Sequence, residues 1–125
     1  MEKKTAIIII DHGSRYPAAN NALDGVVQAT QHAAPNVLVV GAHMELADPT
    51  IEAAFNTCVE KSATHIIAHP YMLAPGRHAI RDIPNMVLEA AKAHPNVTVD
   101  ITDPLGLHPN IIQVILDRCG VDHVS

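Results

Sequence analysis

The chain has 125 residues, the usual length of a single domain, and a formal net charge of −5 with histidine counted as neutral. This acidic balance argues against a nucleic-acid-binding protein, which would usually have a basic surface, although a few arginines could still bind a small anionic ligand. The composition, with two Tyr, one Phe and no Trp, requires an aliphatic core, and nine His make metal binding or acid–base chemistry a leading possibility.

The first predicted element is a strand over residues 5–10, a run of mostly β-branched residues without polar alternation. Such a run is typical of a central strand in a parallel sheet. The strand leads into His12 and Gly13, and in open α/β sheets ligands bind just beyond the carboxyl ends of the strands. We therefore consider His12 the first candidate functional residue, with a turn histidine that only hydrogen-bonds the backbone as the alternative.

Three more strand–helix pairs follow in regular alternation. The other strands are expected over residues 36–42, 64–70 and 96–101, and the helices are expected to begin near Pro17, Pro49 and Pro84 and, for the last one, to cover residues 110–120. Asp48 is a possible N-cap of the second helix, with Pro49 at its first position. Residues 71–81 are expected to form a long loop. The apolar stripe of the last helix consists of Ile111, Ile112, Ile115 and Leu116.

Four strand–helix units in succession predict a single α/β domain over residues 1–125, a three-layer αβα structure with a four-stranded parallel sheet. Right-handed crossovers leave few topologies, and the favoured strand order is 2-1-3-4, a flavodoxin-like arrangement shortened by one strand. Its switch point lies between strands 1 and 3. Because the loop after strand 1 carries His12 and the loop after strand 3 carries His78, we expect these two histidines to flank one crevice.

The pair His12 and His78 suits a divalent metal with open coordination positions. Two imidazoles can bind a first-row metal ion, but they cannot close a tetrahedral structural site, which needs four ligands. Such a site suits catalysis or metal delivery, and imidazole alone does not select among Fe, Co, Ni and Zn. Glu45, in the loop after strand 2, is a candidate third ligand or proton acceptor, with an exposed loop acid as the equal alternative.

Other charged and histidine side chains are expected near the same edge of the sheet. Arg15, Arg77 and Arg81 would lie at the mouth of the crevice, where guanidinium groups suit the recognition of carboxylates. Ordinary surface charge is the alternative for all three. His43 and His69 also end strands, and we interpret both as partly buried histidines with satisfied hydrogen bonds.

The cysteines and the N-terminal segment suggest a cellular compartment. Cys58 lies on an apolar helical stripe and is expected to be a core thiol, and Cys119 is far from it in the sequence. Two distant cysteines do not suggest a disulfide framework, which favours a reducing compartment. The apolar run near the N-terminus is too short for a signal peptide or a membrane span, so we expect a cytoplasmic protein without a membrane partner.

Four groups of residues, in order and at suitable spacing, carry a family resemblance. They are residues 11–15 (DHGSR), residues 45–51 (ELADPTI), residues 70–73 (PYML) with 76–78 (GRH) and 82–84 (DIP), and residues 104–106 (PLG) with His108 and Pro109. With these motifs the sequence resembles the small class II chelatases over nearly its whole length. These are the short sirohydrochlorin chelatases, the cobalt and iron enzymes of cobalamin and sirohaem synthesis with their nickel relatives.

The resemblance implies a chelatase-like fold, which agrees with the predicted one, and a lyase that inserts a divalent metal into a carboxylate-rich tetrapyrrole such as sirohydrochlorin. The metal-site residues would be His12 and His78, with Glu45 as an acidic catalytic residue beside them. The metal, Co²⁺, Fe²⁺ or Ni²⁺, would be a substrate, and no organic cofactor is implied. The family also implies a homodimer. The residues expected to contact the substrate are Ser14, Arg15, Gly76, Arg77 and Arg81.

The main alternative is a non-catalytic protein that binds or delivers a divalent metal through the same two histidines and does not bind a tetrapyrrole. A hydrolase with Ser14 as its nucleophile is a third interpretation, which we rank low. Ser14 is not in a Gly-x-Ser-x-Gly turn, and the sequence shows no evident aspartate–histidine pair to serve it.

Overall fold

The computed structural model describes residues 3–122, which form four strands with helices between them. The strands are β1 (Thr5–Asp11), β2 (Leu38–His43), β3 (His65–Pro70) and β4 (Thr98–Ile101), and the helices are α1 (Pro17–Ala33), α2 (Ile51–Glu60), α3 (Ile83–Ala91) and α4 (Pro109–Cys119). The sheet has the order β2-β1-β3-β4 with every neighbouring pair parallel, which confirms the predicted topology. Within these residues, no helix combines the length and the apolarity that a bilayer crossing needs.

The main core lies between the sheet and the helices α2 and α3. Alternate residues of a strand point to opposite faces, and Ile8 and Ile10 of β1 pack on this face. Phe55 of α2 and Val87 of α3 are fully buried against them. Each such side chain contributes about 1.5–3 kcal/mol on burial, so this face holds the strands and their ends in place. Cys58 belongs to the same buried cluster, which confirms the expected core thiol.

Helix α1 covers the opposite face of the sheet, where Leu23 packs against Ile9 and Val39. Helices on both faces give the predicted three layers. Helix α4 forms where it was predicted, but none of its residues is buried. Two residues of its apolar stripe, Ile112 and Ile115, are 40% and 51% exposed. Helix α4 therefore presents an apolar surface that is not packed into the core of the domain.

The start of α2 differs from the predicted one. Thr50 is the N-cap, and its hydroxyl accepts a hydrogen bond from the N–H of Ala53 at 3.1 Å. Asp48 does not reach this position because the N–H of His43 donates to the carbonyl of Pro49 (2.9 Å) and keeps the chain extended beside β2. The prediction of Asp48 as the N-cap is wrong, and Pro49 precedes the helix.

The prediction of a loop over residues 71–81 is wrong for residues 78–81, which are helical. A π-helical turn, His78–Asp82, runs directly into α3. The carbonyl of Gly76 accepts a hydrogen bond from the N–H of Ala79 at 3.1 Å, and Ala79 is buried. Because this anchor starts the helical backbone early, His78 lies on a helical turn and not on a free loop.

Candidate metal-binding and active site

Backbone hydrogen bonds join the loop that follows β1 to the loop that follows β2. The N–H of Met44 donates to the carbonyl of Asp11 (2.9 Å), and the N–H of Glu45 donates to the carbonyl of His12 (3.1 Å). Gly13 has a φ of +90°, and a Cβ at this position would lie 1.8 Å from the carbonyl oxygen of Glu45. Only glycine permits this close approach, so the loop geometry that places His12 beside Glu45 depends on it.

Two further histidines at strand ends have satisfied hydrogen bonds, as expected. His43 is 3% exposed, and its Nδ1–H donates to the carboxylate of Asp11 at 2.6 Å. The Nδ1 of His69 lies 2.7 Å from the hydroxyl oxygen of Thr102, and burial lowers the pKa of His69. The bond between His43 and Asp11 joins the ends of β2 and β1, so it supports the two loops described above.

The structure brings His12 and His78 together beyond the carboxyl ends of β1 and β3. Their ring centroids are 4.8 Å apart, with an angle of 72° between the ring planes. The Nδ1–H of His12 donates to the carbonyl of Gly13 (3.2 Å), and its Nε2 lies 3.4 Å from Oε1 of Glu45. The side chains of His12, Glu45 and His78 are each about half exposed, so a ligand from solution can reach all three.

Asp82 is the hydrogen-bond partner of His78, and no role was assigned to it from the sequence. The Nδ1–H of His78 donates to Oδ2 of Asp82 at 2.8 Å. Arg81 donates from Nε to Oδ1 (3.3 Å), and the Nε of Arg77 lies 3.9 Å from Oδ2. Partial desolvation opposes ionisation of this carboxyl group, but the hydrogen bonds from His78 and Arg81 outweigh it and lower the pKa of Asp82. Once the backbone at His78 is known to be helical, the i, i+4 spacing of His78 and Asp82 accounts for this pair.

These contacts leave the Nε2 atoms of both histidines available as metal ligands. In His78 the partner of Nδ1 is a carboxylate oxygen, which only accepts and therefore favours the proton on Nδ1. In His12 the partner of Nδ1 is a carbonyl oxygen that also only accepts, and Nε2 of this ring lies 3.4 Å from a carboxylate oxygen of Glu45. The unprotonated Nε2 is the form of imidazole that coordinates a metal. Two imidazoles leave the other coordination positions open to water or to an incoming ligand. Across residues 3–122, no three His, Cys, Asp or Glu side chains are grouped closely enough to hold one metal ion together.

Two of the arginines expected to contact a substrate, Arg77 and Arg81, lie beside His78. Arg77 and Arg81 lie on or next to the helical turn that carries His78, and their side chains are 69% and 60% exposed. Arg15 is exposed on the loop between β1 and α1. A groove of about 370 Å³ lies beside His12 and extends along α1. The site therefore combines two candidate metal ligands, the imidazoles of His12 and His78, with positive charges that are open to solvent.

Ser14 and Gly76, the remaining candidates, both shape the backbone around the site. The Oγ of Ser14 accepts a hydrogen bond from the N–H of Tyr16 (3.0 Å), and its main chain is held by Asn20 of α1 at 2.9 and 2.7 Å. Its hydroxyl hydrogen is left to donate to a ligand. A Cβ at Gly76 would meet no atom within 4 Å, so this position offers open space beside the turn.

The fold and the histidine pair place the chain among the small class II chelatases. Residues 6–120 match the model of the CbiX family, and the chain belongs to this family. This finding confirms the resemblance on which the sequence interpretation rested.

Curated relatives from plants, bacteria and archaea are similar over most of the chain. The chloroplastic sirohydrochlorin ferrochelatase of Arabidopsis thaliana is 41% identical over 112 residues, which are 90% of this chain and 50% of the relative. The sirohydrochlorin ferrochelatase of Bacillus subtilis (strain 168) is 31% identical, over 92% of this chain and 44% of the relative. The chain therefore spans about half the length of these two relatives. The sirohydrochlorin cobaltochelatase of Methanopyrus kandleri is 28% identical, over 90% of this chain and 93% of the relative.

Two solved structures have the same fold over almost the whole chain. The sirohydrochlorin chelatase SirB from Bacillus subtilis subspecies spizizenii, in complex with cobalt, gives a TM-score of 0.88 at 29% identity and covers 94% of this chain and 50% of SirB. A CbiX protein assigned to cobalamin biosynthesis in Marinobacter aquaeolei VT8 gives a TM-score of 0.80 at 27% identity, over 93% of this chain and 94% of that protein. Both similarities confirm the fold.

Proposed function

We propose that the chain is a sirohydrochlorin chelatase that inserts a divalent metal, Co²⁺, Fe²⁺ or Ni²⁺, into this carboxylate-rich tetrapyrrole in cobalamin- or sirohaem-type biosynthesis. The observation that carries the proposal is the close approach of the imidazole rings of His12 and His78, with centroids 4.8 Å apart, at the carboxyl edge of the sheet. The relatives support the substrate and two of the metals, because both ferrochelatases and cobaltochelatases of sirohydrochlorin are among them. The metal is a substrate, and the proposed reaction needs no organic cofactor.

In this mechanism His12 and His78 take the metal ion from water and hold it at the mouth of the crevice. Each Nε2 replaces one water ligand, and the open positions let pyrrole nitrogens enter the coordination sphere. Because only two protein ligands hold the metal, it can pass to the ring. Proximity then converts a slow encounter of two solvated species into a positioned exchange.

Insertion of M²⁺ into the free ring also releases two protons from pyrrole nitrogens, and the site has groups that can accept them. Oε1 of Glu45 lies 3.4 Å from Nε2 of His12, the ring nitrogen that we propose as a metal ligand. A carboxylate in this position can take one proton and pass it to water. An imidazole nitrogen that has given up its metal can take the second proton.

The carboxylates of the tetrapyrrole require positive partners at the rim of the site. The exposed guanidinium groups of Arg77 and Arg81 lie next to His78, and Arg15 is exposed on the loop after β1. Arginine binds carboxylates through two parallel N–H···O bonds, which fix orientation as well as position. Ser14 can add a donated hydroxyl hydrogen bond to the same group of contacts.

A homodimer in the cytoplasm is part of the proposal. The apolar surface of α4, with Ile112 and Ile115 exposed, has the character of an interaction surface. Because the resemblance to the small class II chelatases implies a homodimer, we assign this surface to a second copy of the chain. We expect Ile115→Asp to convert the dimer to a monomer in analytical ultracentrifugation. Leu88→Asp, an equally exposed position on α3, should leave the dimer intact. A monomeric wild-type protein would contradict this assignment.

The function is tested by anaerobic spectrophotometry of sirohydrochlorin with Co²⁺, Fe²⁺ or Ni²⁺, with and without the protein. We expect the protein to accelerate the change of the absorption bands, and His12→Ala and His78→Ala each to lose roughly 10²-fold or more of that acceleration. His32→Ala is the matched control, because this exposed histidine of α1 lies near the amino ends of the strands. Full insertion rates in both site variants would contradict the mechanism. Metal binding without any acceleration would favour the metal-delivery alternative.

A further inference from the structure

We propose that Asp82 is a positioning residue that fixes the metal-binding form of His78 and offsets the two guanidinium groups beside it. Its effect on metal insertion rests on the chelatase function proposed above. Its effects on the His78 ring and on metal affinity do not, so the two ideas can fail separately.

Asp82 determines which ring nitrogen of His78 carries the proton. A neutral imidazole exchanges between two tautomers, and only the Nδ1–H form presents Nε2 as a ligand. Oδ2 of Asp82 lies 2.8 Å from Nδ1 and, as a carboxylate oxygen, it only accepts. The pair therefore favours the Nδ1–H form and holds the ring in one orientation, 4.8 Å from the ring of His12 between centroids.

The two histidines of the site are not equivalent. The Nδ1–H of His12 donates to a neutral carbonyl, that of Gly13, at the longer distance of 3.2 Å. Hydrogen bonds to an ionised acceptor are shorter and about twice as strong as neutral ones, and a carboxylate behind a histidine ligand raises the basicity of that ligand. His78 is therefore the stronger ligand of the pair, and its advantage depends on Asp82.

Asp82 also offsets the positive charges next to His78. Its Oδ1 accepts a hydrogen bond from Nε of Arg81 at 3.3 Å, and its Oδ2 lies 3.9 Å from Nε of Arg77. Without the carboxylate, two guanidinium groups would stand beside the metal-binding ring and would repel an approaching dication. With it, the same turn carries both a metal ligand and the arginines that we propose for substrate carboxylates.

The backbone of this turn is anchored independently of the Asp82 side chain. The N–H of Ile83 donates to the carbonyl of His78 and closes the π-helical turn. Ile83 and Ala79 are both buried in the domain. Substitution of Asp82 removes the contacts to His78 and to the arginines and leaves these buried anchors in place, so we expect the variants to fold.

Asp82→Ala and Asp82→Asn test the proposal first without metal. Long-range ¹⁵N–¹H NMR at about pH 8.5, where imidazole is neutral, reports the tautomer of each histidine. We expect the Nδ1–H form of His78 in the wild type and a shift towards the Nε2–H form in Asp82→Ala, with His12 unchanged. Asp82→Asn should retain more of the Nδ1–H form, because its amide oxygen still accepts from Nδ1.

Calorimetric titration with Co²⁺ is the second measurement. We expect binding about 10–100-fold weaker in Asp82→Ala and a smaller loss in Asp82→Asn. The matched control is Glu89→Gln, an exposed carboxylate on α3 that is paired with Lys92 and should bind Co²⁺ like the wild type.

Unchanged Co²⁺ affinity with an unchanged Nδ1–H signal in both variants would overturn the proposal. A purely structural role would overturn it as well, and it would be recognised by equal changes at His12 and His78 and by a lower unfolding midpoint. Failure of the wild-type protein to insert metal would overturn the chelatase function, whereas the tautomer and Co²⁺ results would still decide the role of Asp82.

Discussion

Substitution of Gly13 by alanine should damage the site more than the fold. The added Cβ would lie 1.8 Å from the carbonyl oxygen of Glu45, on backbone with a φ of +90°. A close carbon–oxygen contact is about 3.3 Å, so the loops after β1 and β2 would have to separate by about 1.5 Å. The left-handed backbone adds roughly 1–2 kcal/mol for a residue with a side chain. Because a shift of about 1 Å at reacting groups can cost about 10²-fold in rate, we expect metal insertion to fall by that factor as His12 and Glu45 move apart.

Gly25→Ala is the matched control for this substitution. A Cβ at Gly25 in α1 would meet no atom within 4 Å, and alanine is favoured over glycine inside a helix by about 0.5–1 kcal/mol. Initial rates of metal insertion and thermal unfolding would be measured for both variants. We expect Gly13→Ala to lose rate and to unfold at a lower temperature, and Gly25→Ala to keep its rate and unfold slightly higher. A wild-type rate in Gly13→Ala would refute the idea that this close approach positions the site.

Two further predictions concern the core and the start of α2. Burial raises the pKa of Cys58 from 9.0 to about 11 against a smaller opposing effect of Lys61. Because the folded state favours the neutral thiol, the free energy of unfolding in urea should fall by about 2 kcal/mol relative to Cys58→Ala as the pH rises from 9 to 11. An equal fall in both proteins would contradict this. Thr50→Ala should lower the free energy of unfolding by about 1 kcal/mol through loss of the N-cap bond, whereas Asp48→Ala should have little effect; equal losses would contradict the observed cap.

Strands β1 and β2 could be predicted because each is an apolar run with little polar interruption. The run at residues 5–10 is typical of a strand buried on both faces, and β1 lies between two parallel neighbours in the structure. Once four strand–helix units are recognised, right-handed crossovers leave few strand orders. The same topology predicted that His12 and His78 flank one crevice, since both follow strands on either side of the switch point.

The structure differs from the sequence-based predictions where contacts between residues that are distant in the sequence override local sequence signals. Asp48 followed by Pro49 has the composition of a helix start, but the hydrogen bond from the His43 N–H holds that segment beside β2. No local pattern reports such a bond. The exposure of the apolar face of α4 was not predicted either, because hydrophobic periodicity identifies an apolar stripe but not what covers it.

Asp82 was missed for a related reason. Pro75 and Gly76 indicate a loop, and an i, i+4 pair has meaning only on helical backbone. The buried Ala79 starts that backbone within the expected loop. His78 and Asp82 then come onto one side of the turn, which the sequence pattern alone did not indicate.

His12 and His78 are proposed to hold together the metal that is inserted, and X-ray absorption spectroscopy of the Co²⁺-loaded protein tests this most directly. We predict two imidazole ligands per Co²⁺ in the wild type and one in His12→Ala and in His78→Ala, with the remaining positions filled by water. His32→Ala should give the wild-type spectrum. A Co²⁺ spectrum that neither site substitution changes would contradict the account.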